Sequence, residues 1–431
     1  MNEAFIKFLW KNRLYTLPLI ADDGSEIEII HPGFENTDAG PDFFSAKIKI
    51  ADVIWSGNVE FHVNSSDWYK HSHDADRAYD NVILHVVIHH DKPVFRTTGE
   101  QIPTVELKYP AEVFRAYQQL NKSPETVKCM KLLPPGEQVS IVSFVEALAV
   151  ERLEEKSKAF YNLYIQFGND WDTAFFVLLA RYFGMKVNSL PFEQLALSFP
   201  LKIIDRLGGD LFRTEALLFG QAGLLDRDFT EDYPQRLKKE YQYLKLRHQL
   251  RPIKASMWKF LRLRPANFPT VRIAQLAAVL SKNSRLFDDI LHIRSLSKYR
   301  EFFDVQVSEY WKTHYNFDKQ SVRREKKIGN SAVDVLLINV VAVALFTYGK
   351  YKSQQEYVNR AIDLLEDIKA ENNSTVAKYV FFRPVNAFQS QGLIQLYENY
   401  CKKGRCLNCR IGADLIIRLS QNNKKSSRDE H

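Results

Sequence analysis

The chain has 431 residues, of which 45% are hydrophobic and 26% charged, with an aromatic share of 13% and a net charge of +7. That composition excludes a disordered or low-complexity chain and supplies enough apolar material for two or three packed domains. Four cysteines are present, three of them between positions 401 and 409, which looks like metal ligation more than an extracellular disulfide framework.

Residues 2–14, NEAFIKFLWKNRL, predict a short amphipathic helix with Phe5, Leu9 and Trp10 on one side. They lack the continuous apolar stretch and cleavage site of a secretory leader. Strands follow. Asp23-Gly24 marks a hairpin turn between LPLIA and EIEII, and Pro32-Gly33 ends the second strand. Asp42–Ile50 alternates, and Ala51-Asp52 turns the chain into VIWSGNVEFHV. A polar loop with a short helix, Asn64–Asp80, leads to an apolar strand at Val82–Ile88. A last strand, Thr104–Leu107, closes a first domain at residues 1–110.

A linker is expected at 111–134, then an α-helical domain at 135–421 that includes a C-terminal cysteine cluster, then a polar tail at 422–431. Helical spacing is clear at Ile141–Leu163, Trp171–Phe183, Phe192–Leu197, Leu211–Ala222, Tyr233–His248, Val271–Leu280 and Ala332–Tyr348. The longest apolar run, Val333–Phe346, is interrupted by Asp334 and Asn339 and reads as a buried core helix, too short for a membrane span. The expected class is α+β, an N-terminal mixed sheet with flanking helices and then a large helical region. The expected setting is the cytoplasm, with no membrane. The sequence sets no oligomeric state.

Charge is divided unevenly. Residues 1–110 hold 10 Lys+Arg against 17 Asp+Glu, a balance of −7, so the rest of the chain carries +14. Carboxylates in one domain and a basic remainder suit a protein that holds cations and meets phosphates, and suit equally a solvated surface with no such role.

The densest polar chemistry lies in GPDFFSAKIKI, GNVEFHV and SSDWYKHSHDADRAYD. On a strand, Glu60 and His62 leave one face while Val59, Phe61 and Val63 leave the other. Asp42 opens the neighbouring strand. Two carboxylates on adjacent strands with a nitrogen base one pleat away make a candidate Mg²⁺ or Mn²⁺ site. Glu3 or Glu35 is a candidate third carboxylate. His71 and His73, with Asp67, Asp74 and Asp76 close by, are candidate ligands for Zn²⁺ or Mn²⁺; the competing reading is a surface turn with an aspartate cap. His85 shares a face with Ile83 and Val87 and reads as a core histidine.

The order helix, strand, Pro41-Asp42, strand, Glu60-x-His62, helix, strand resembles the restriction-endonuclease-like fold and its PD-(D/E)XK motif over about the first 110 residues. The resemblance implies a metal-dependent nuclease with Asp42 and Glu60 as metal ligands. His62 stands where that motif has lysine, and at ordinary pKa it is charged only in acid. The alternatives are a non-catalytic nucleic-acid or protein-binding scaffold on a degenerate nuclease fold, and a metal-dependent hydrolase of a small substrate. Over nearly the whole chain, NTDAGPDFFSAKI, GNVEFHVNSSDWYKHSHDADRAYDNVILHVV, RLRPANFPTVRIAQLA and ENYCKKGRCLNCRIG resemble a bacterial family known only as domain of unknown function 2851, which implies no mechanism.

Cys401-x4-Cys406-x2-Cys409 has metal-ligand spacing, and Cys129 is the remaining cysteine. The four suit a tetrahedral Zn²⁺ site, or an iron–sulfur cluster as the alternative, or stand as unliganded thiols. Some nucleases of the superfamily named above carry such a cluster with one cysteine upstream and three downstream. Lys402, Lys403, Arg405 and Arg410 are expected to depress the thiol pKa values. Arg262, Arg264 and Arg272, and then Arg323, Arg324, Lys326 and Lys327, are candidate nucleic-acid contacts, with Phe268 or Trp258 for stacking; the competing reading is a solvated charged face.

Overall fold

The structure is a computed structural model that describes residues 2–36, 38–133, 138–283 and 285–426. The expected start of the helical domain at 135 and the last five residues of the expected tail lie outside the described residues. The chain divides into two compact units. One comprises residues 1–141, 378–381 and 396–431; the other comprises 142–377 and 382–395.

The first unit opens with helix α1, Glu3–Lys11. Asn2 caps it by accepting the Phe5 N–H, and Glu3 and Lys11 sit at the ends that the helix dipole favours. Phe5, Ile6, Phe8, Leu9 and Trp10 are buried. Seven strands follow: β1 Leu19–Ile20, β2 Glu26–His31, β3 Phe34–Glu35, β4 Phe43–Ile50, β5 Val53–Asn64, β6 Val82–His89 and β7 Thr104–Glu106. They form one mixed sheet in the order β1-β2-β4-β5-β6-β7, with β3 paired to the start of β4. Pairings up to β4–β5 are antiparallel; β5–β6 and β6–β7 are parallel.

The parallel step from β5 to β6 needs a crossover, and residues 65–81 supply it with helix α2, Asp67–Lys70, and two single 3₁₀ turns. Helix α1 lies on the face carrying Phe43, Val59 and Phe61, where all three are buried. Trp10 meets Phe61 edge-on at 5.6 Å, and its Nε1 donates to the Pro32 carbonyl at 2.9 Å. Each such buried aromatic contributes roughly 1.5–3 kcal/mol.

The α+β expectation holds at that level. Its divisions differ in two places. The expected linker contains helix α3, Ala111–Asn121, because Val113, Ala116 and Leu120 form an apolar stripe that joins the core of α1. The cysteine-bearing segment belongs to the first unit, not the helical one, because Leu415 and Ile416 of the terminal helix Arg410–Ser426 enter that same core. That helix also runs through the first residues of the expected tail.

The second unit is helical around one large apolar core, apart from a two-stranded ribbon at His314–Asn316 and Lys319–Gln320. The expected helices are all present. Helices at Leu286–His292, Leu296–Phe302, Gln355–Asp367 and Ala387–Leu396 add to them. The apolar run lies in a 22-residue helix, Asn330–Tyr351, with a π turn at Leu337–Val341. By length and composition this helix is able to cross a membrane, but 78% of its most apolar stretch is buried inside the protein.

Candidate metal centre

Alternation along β5 sends Val59 and Phe61 toward α1 and Glu60 and His62 to the opposite side. The latter pair is not a solvated surface: Glu60 is 5% and His62 1% exposed. The crossover covers them. Asp67 Oδ2 accepts the Asn64 N–H at 3.0 Å, and Asp76 Oδ1 accepts that of Ala78 at 2.9 Å. Those two aspartates therefore cap turns, and Asp74 is exposed. Trp68 is fully buried with Nε1 bonded to the Phe95 carbonyl, and the His73 ring stacks on Tyr79 at 3.7 Å. Ser72 takes a left-handed conformation, φ 61°, between His71 and His73.

This packing aims both histidines at His62. His62 Nε2 lies 3.0 Å from His71 Nδ1, and His62, His71 and His73 each offer a nitrogen within 4.8 Å of the other two. Glu60 Oε1 is 3.9 Å from His62 Nε2 and 3.6 Å from His73 Nε2. Four donors around one ion, with bonds of about 2.0–2.1 Å at tetrahedral angles, lie about 3.3 Å apart. The three imidazole nitrogens have the spacing of a divalent-cation ligand set, with the Glu60 carboxyl beside two of them.

On its other side Glu60 reaches Asp42, whose backbone N–H donates to Glu60 Oε2 at 2.9 Å. The Asp42 carboxylate pairs with Lys7 of α1, and Lys11 pairs with Glu35 at 2.8 Å. The structure thus brings Asp42, Glu60 and His62 to one place, together with His71 and His73. Glu35 is taken by Lys11. Glu3 feels the charges of Lys7 and Asp42, and burial raises its pKa.

Burial sets the protonation here. It pushes the Glu60 carboxyl up to about 8, with the charge of Asp42 as the next cause. Asp42 is raised by burial against the pull of Lys7. His62 is pushed down to about 3 by burial and by the neighbouring imidazoles, and His73 to about 4, again chiefly by burial. Both rings are therefore neutral at physiological pH and offer lone pairs, the state in which imidazole binds metals. His62 Nδ1 sits 2.8 Å from Nε2 of the fully buried His85. A proton on His62 Nδ1 donated to His85 leaves Nε2 free to face Glu60, His71 and His73.

Sequence reasoning missed two contributors. Lys7 was legible in outline, since Glu3, Lys7 and Lys11 form an i, i+4, i+8 charged stripe on an otherwise apolar helix. His85 was placed in the core, but its contact with His62 depends on the parallel register Glu60↔His85, which nothing local encodes.

The four cysteines gather around one spot of the first unit. Cys129 feels Cys401, Cys406 and Cys409, and the Tyr379 hydroxyl lies 3.4 Å from Cys401 Sγ. Gly412 permits this packing: a Cβ there would lie 2.3 Å from the Cys406 carbonyl oxygen. The expected fall in thiol pKa is not found. Burial raises all four, Cys409 up to about 12. Two of the four basic neighbours turn away, Lys402 to Glu398 and Lys403 to Asn399.

The basic candidates divide. Arg272 and Lys326 are buried, which removes them as phosphate contacts. The Arg272 guanidinium serves Asn267 and Gln275, and the Lys326 ammonium sits 3.9 Å from the Tyr315 ring centroid. Arg323 pairs with Glu309 and Lys327 with Asp304. Arg262, Arg264 and Arg324 are exposed. Trp258 is buried with its Nε1 on the Ala222 carbonyl and offers no stacking face.

No curated protein and no solved structure matches the chain. A family model matches residues 3–374, and the chain belongs to that family, protein of unknown function (DUF2851).

Proposed function

We propose that the first unit is a metal-dependent phosphodiesterase of the nuclease type, with its cation held by Glu60, His62, His71 and His73 and with Asp42 and Lys7 beside it. The observation that carries this reading is the convergence of three imidazoles and the buried Glu60 carboxyl group next to the Lys7–Asp42 pair. Nitrogen ligands in that number favour Mn²⁺ or Zn²⁺ over Mg²⁺. A bound divalent cation supplies Lewis acidity toward a phosphoryl oxygen and makes a water more acidic. Lys7 supplies the ammonium that position 62 lacks, and Glu60 ties the Asp42 backbone to the centre. The order of α1, β4, β5 and the parallel β6 supports a restriction-endonuclease-like arrangement. The test is release of nucleotides from DNA and RNA by chelator-treated protein on re-addition of Mn²⁺ or Zn²⁺. No release with any of these would remove the reading.

The cysteines suit a second, structural cofactor. Four thiolates on one Zn²⁺ sit about 3.8 Å apart, given Zn–S bonds of about 2.3 Å. The same four ligands suit an iron–sulfur cluster as the alternative. Cytoplasmic residence fits four unpaired cysteines. Nucleic acid is the partner, with Arg262, Arg264 and Arg324 as the remaining basic contacts of the helical unit.

A further inference from the structure

Beside the metal centre the open face of the sheet carries a cavity of about 620 Å³, lined chiefly by His31, Phe34, Ser45, Lys47, Asn58 and Asn81. Asn58 precedes Glu60 by two residues on β5, so its side chain leaves the same face about 7 Å away. The cavity and the centre are therefore neighbours on one strand. Strand β3, which carries Phe34, pairs with β4 immediately after Asp42.

Three features of the lining point to a ligand. No carboxylate is among these residues. The side chains of Ser45, Lys47, Asn58 and Asn81 make no hydrogen bond or ion pair within the described residues, although each carries a strong donor. Phe34 is 65% exposed, with the His31 ring 5.0 Å away and its strand partner Phe44 also exposed. Two glycines allow close main-chain approaches, Gly57 in the lining and Gly33 next to Phe34. A Cβ at Gly57 would lie 2.5 Å from Ile83, and one at Gly33, where φ is +91°, would lie 2.8 Å from the Phe44 carbonyl oxygen. The main chain is thus packed tightly below while the polar groups above stay unengaged.

We infer that this cavity is the subsite for a single-stranded stretch of nucleic acid, with Phe34 stacking an unpaired base, Lys47 meeting a phosphate, and Asn58 and Asn81 bonding base or sugar edges. The inference rests on the phosphodiesterase reading for its link to cleavage, but the binding itself does not. An exposed ring and a free ammonium are what a strand with splayed bases requires, whereas a duplex keeps its base faces stacked inside. The absence of acidic groups admits the phosphate backbone without repulsion.

The experiment is fluorescence anisotropy of a short labelled single strand, and of the same strand annealed to its complement, with full-length protein in chelator so that nothing is cleaved. The single strand binds at least tenfold tighter than the duplex. Phe34→Ala weakens it by about tenfold, the scale of one base stack, and Phe34→Trp restores it. Lys47→Ala lowers the slope of log K against log salt by about 0.7, one phosphate contact on a single strand. Unchanged binding by Phe34→Ala and Lys47→Ala, preference for duplex, or no binding of either probe overturns the subsite. Cleavage by wild type that depends on Glu60 but not on Phe34 would leave the metal reading standing without it. Phe34-dependent binding with no cleavage at all would do the reverse.

Discussion

The backbone amide of Asp42 donates to Glu60 Oε2 at 2.9 Å, while Glu60 Oε1 faces His62 and His73. One buried carboxylate therefore joins the acidic corner held by Lys7 to the imidazole cluster. Glu60→Gln keeps the shape and the contact to Asp42 but removes the carboxyl group that can ionise onto a bound cation. It lowers turnover on nucleic acid by on the order of 10² or more. Circular dichroism matching wild type, together with the rate loss, separates this from misfolding; an unchanged rate removes Glu60 from the centre.

His85 touches His62 Nδ1 and, if the proposed cation binds, would act on it through that ring alone. Replacing His85 with Phe fills the buried space but leaves His62 Nδ1 without its partner. Affinity for Mn²⁺ falls about 10- to 100-fold, the usual cost of losing a ring-orienting contact behind a metal ligand. Calorimetric titration measures it, and equal affinities would show that the His62–His85 contact is packing alone.

Lys7→Met leaves Asp42, 18% exposed, without its cation. The account expects turnover to fall by on the order of 10², with Lys7→Arg recovering part of it, since a charge in that place is what the chemistry uses. A rate that follows thermal stability alone across the two variants would mark Lys7 as structural.

Glu215 in the helical unit provides a stability prediction independent of catalysis. It is fully buried, and its Oε2 accepts from the Tyr233 hydroxyl at 2.6 Å, Trp311 Nε1 at 3.1 Å and Ser308 Oγ at 3.2 Å. Burial nonetheless pushes its carboxyl up to about 7 from an ordinary 4.5. The folded chain then binds more protons than the unfolded one between those values. Its contribution is full below pH 4.5 and is lost as pH rises through 7, by roughly 3 kcal/mol. Urea unfolding at pH 5 and pH 8 shows the fall, and Glu215→Gln flattens it. A variant with the wild-type pH dependence contradicts the assignment.

Much of this was legible in the sequence. The period-2 pattern of GNVEFHV puts Glu60 and His62 on one face of a strand, and the apolar side of NEAFIKFLWK fixes α1. What was not legible depends on distant pairing. The direction of Lys7 requires the docking of α1 beside Asp42, and His85 requires the β5–β6 register. Around the cysteines, sequence neighbours were the wrong guide. Lys402 and Lys403 turn to partners of their own, and burial among Cys129, Tyr379 and the terminal helix sets the thiols instead. Arg272 and Lys326 failed likewise, since a charged run does not reveal which of its members turn inward.

Calorimetric titration of Mn²⁺ into chelator-stripped protein reads the Glu60–histidine centre alone, because Mn²⁺ prefers nitrogen and oxygen ligands and leaves the cysteine set aside. The account predicts one Mn²⁺ per chain for wild type and for Cys406→Ser, with binding lost in Glu60→Gln and His73→Ala. The same Mn²⁺ isotherm in wild type, Glu60→Gln and His73→Ala would contradict it.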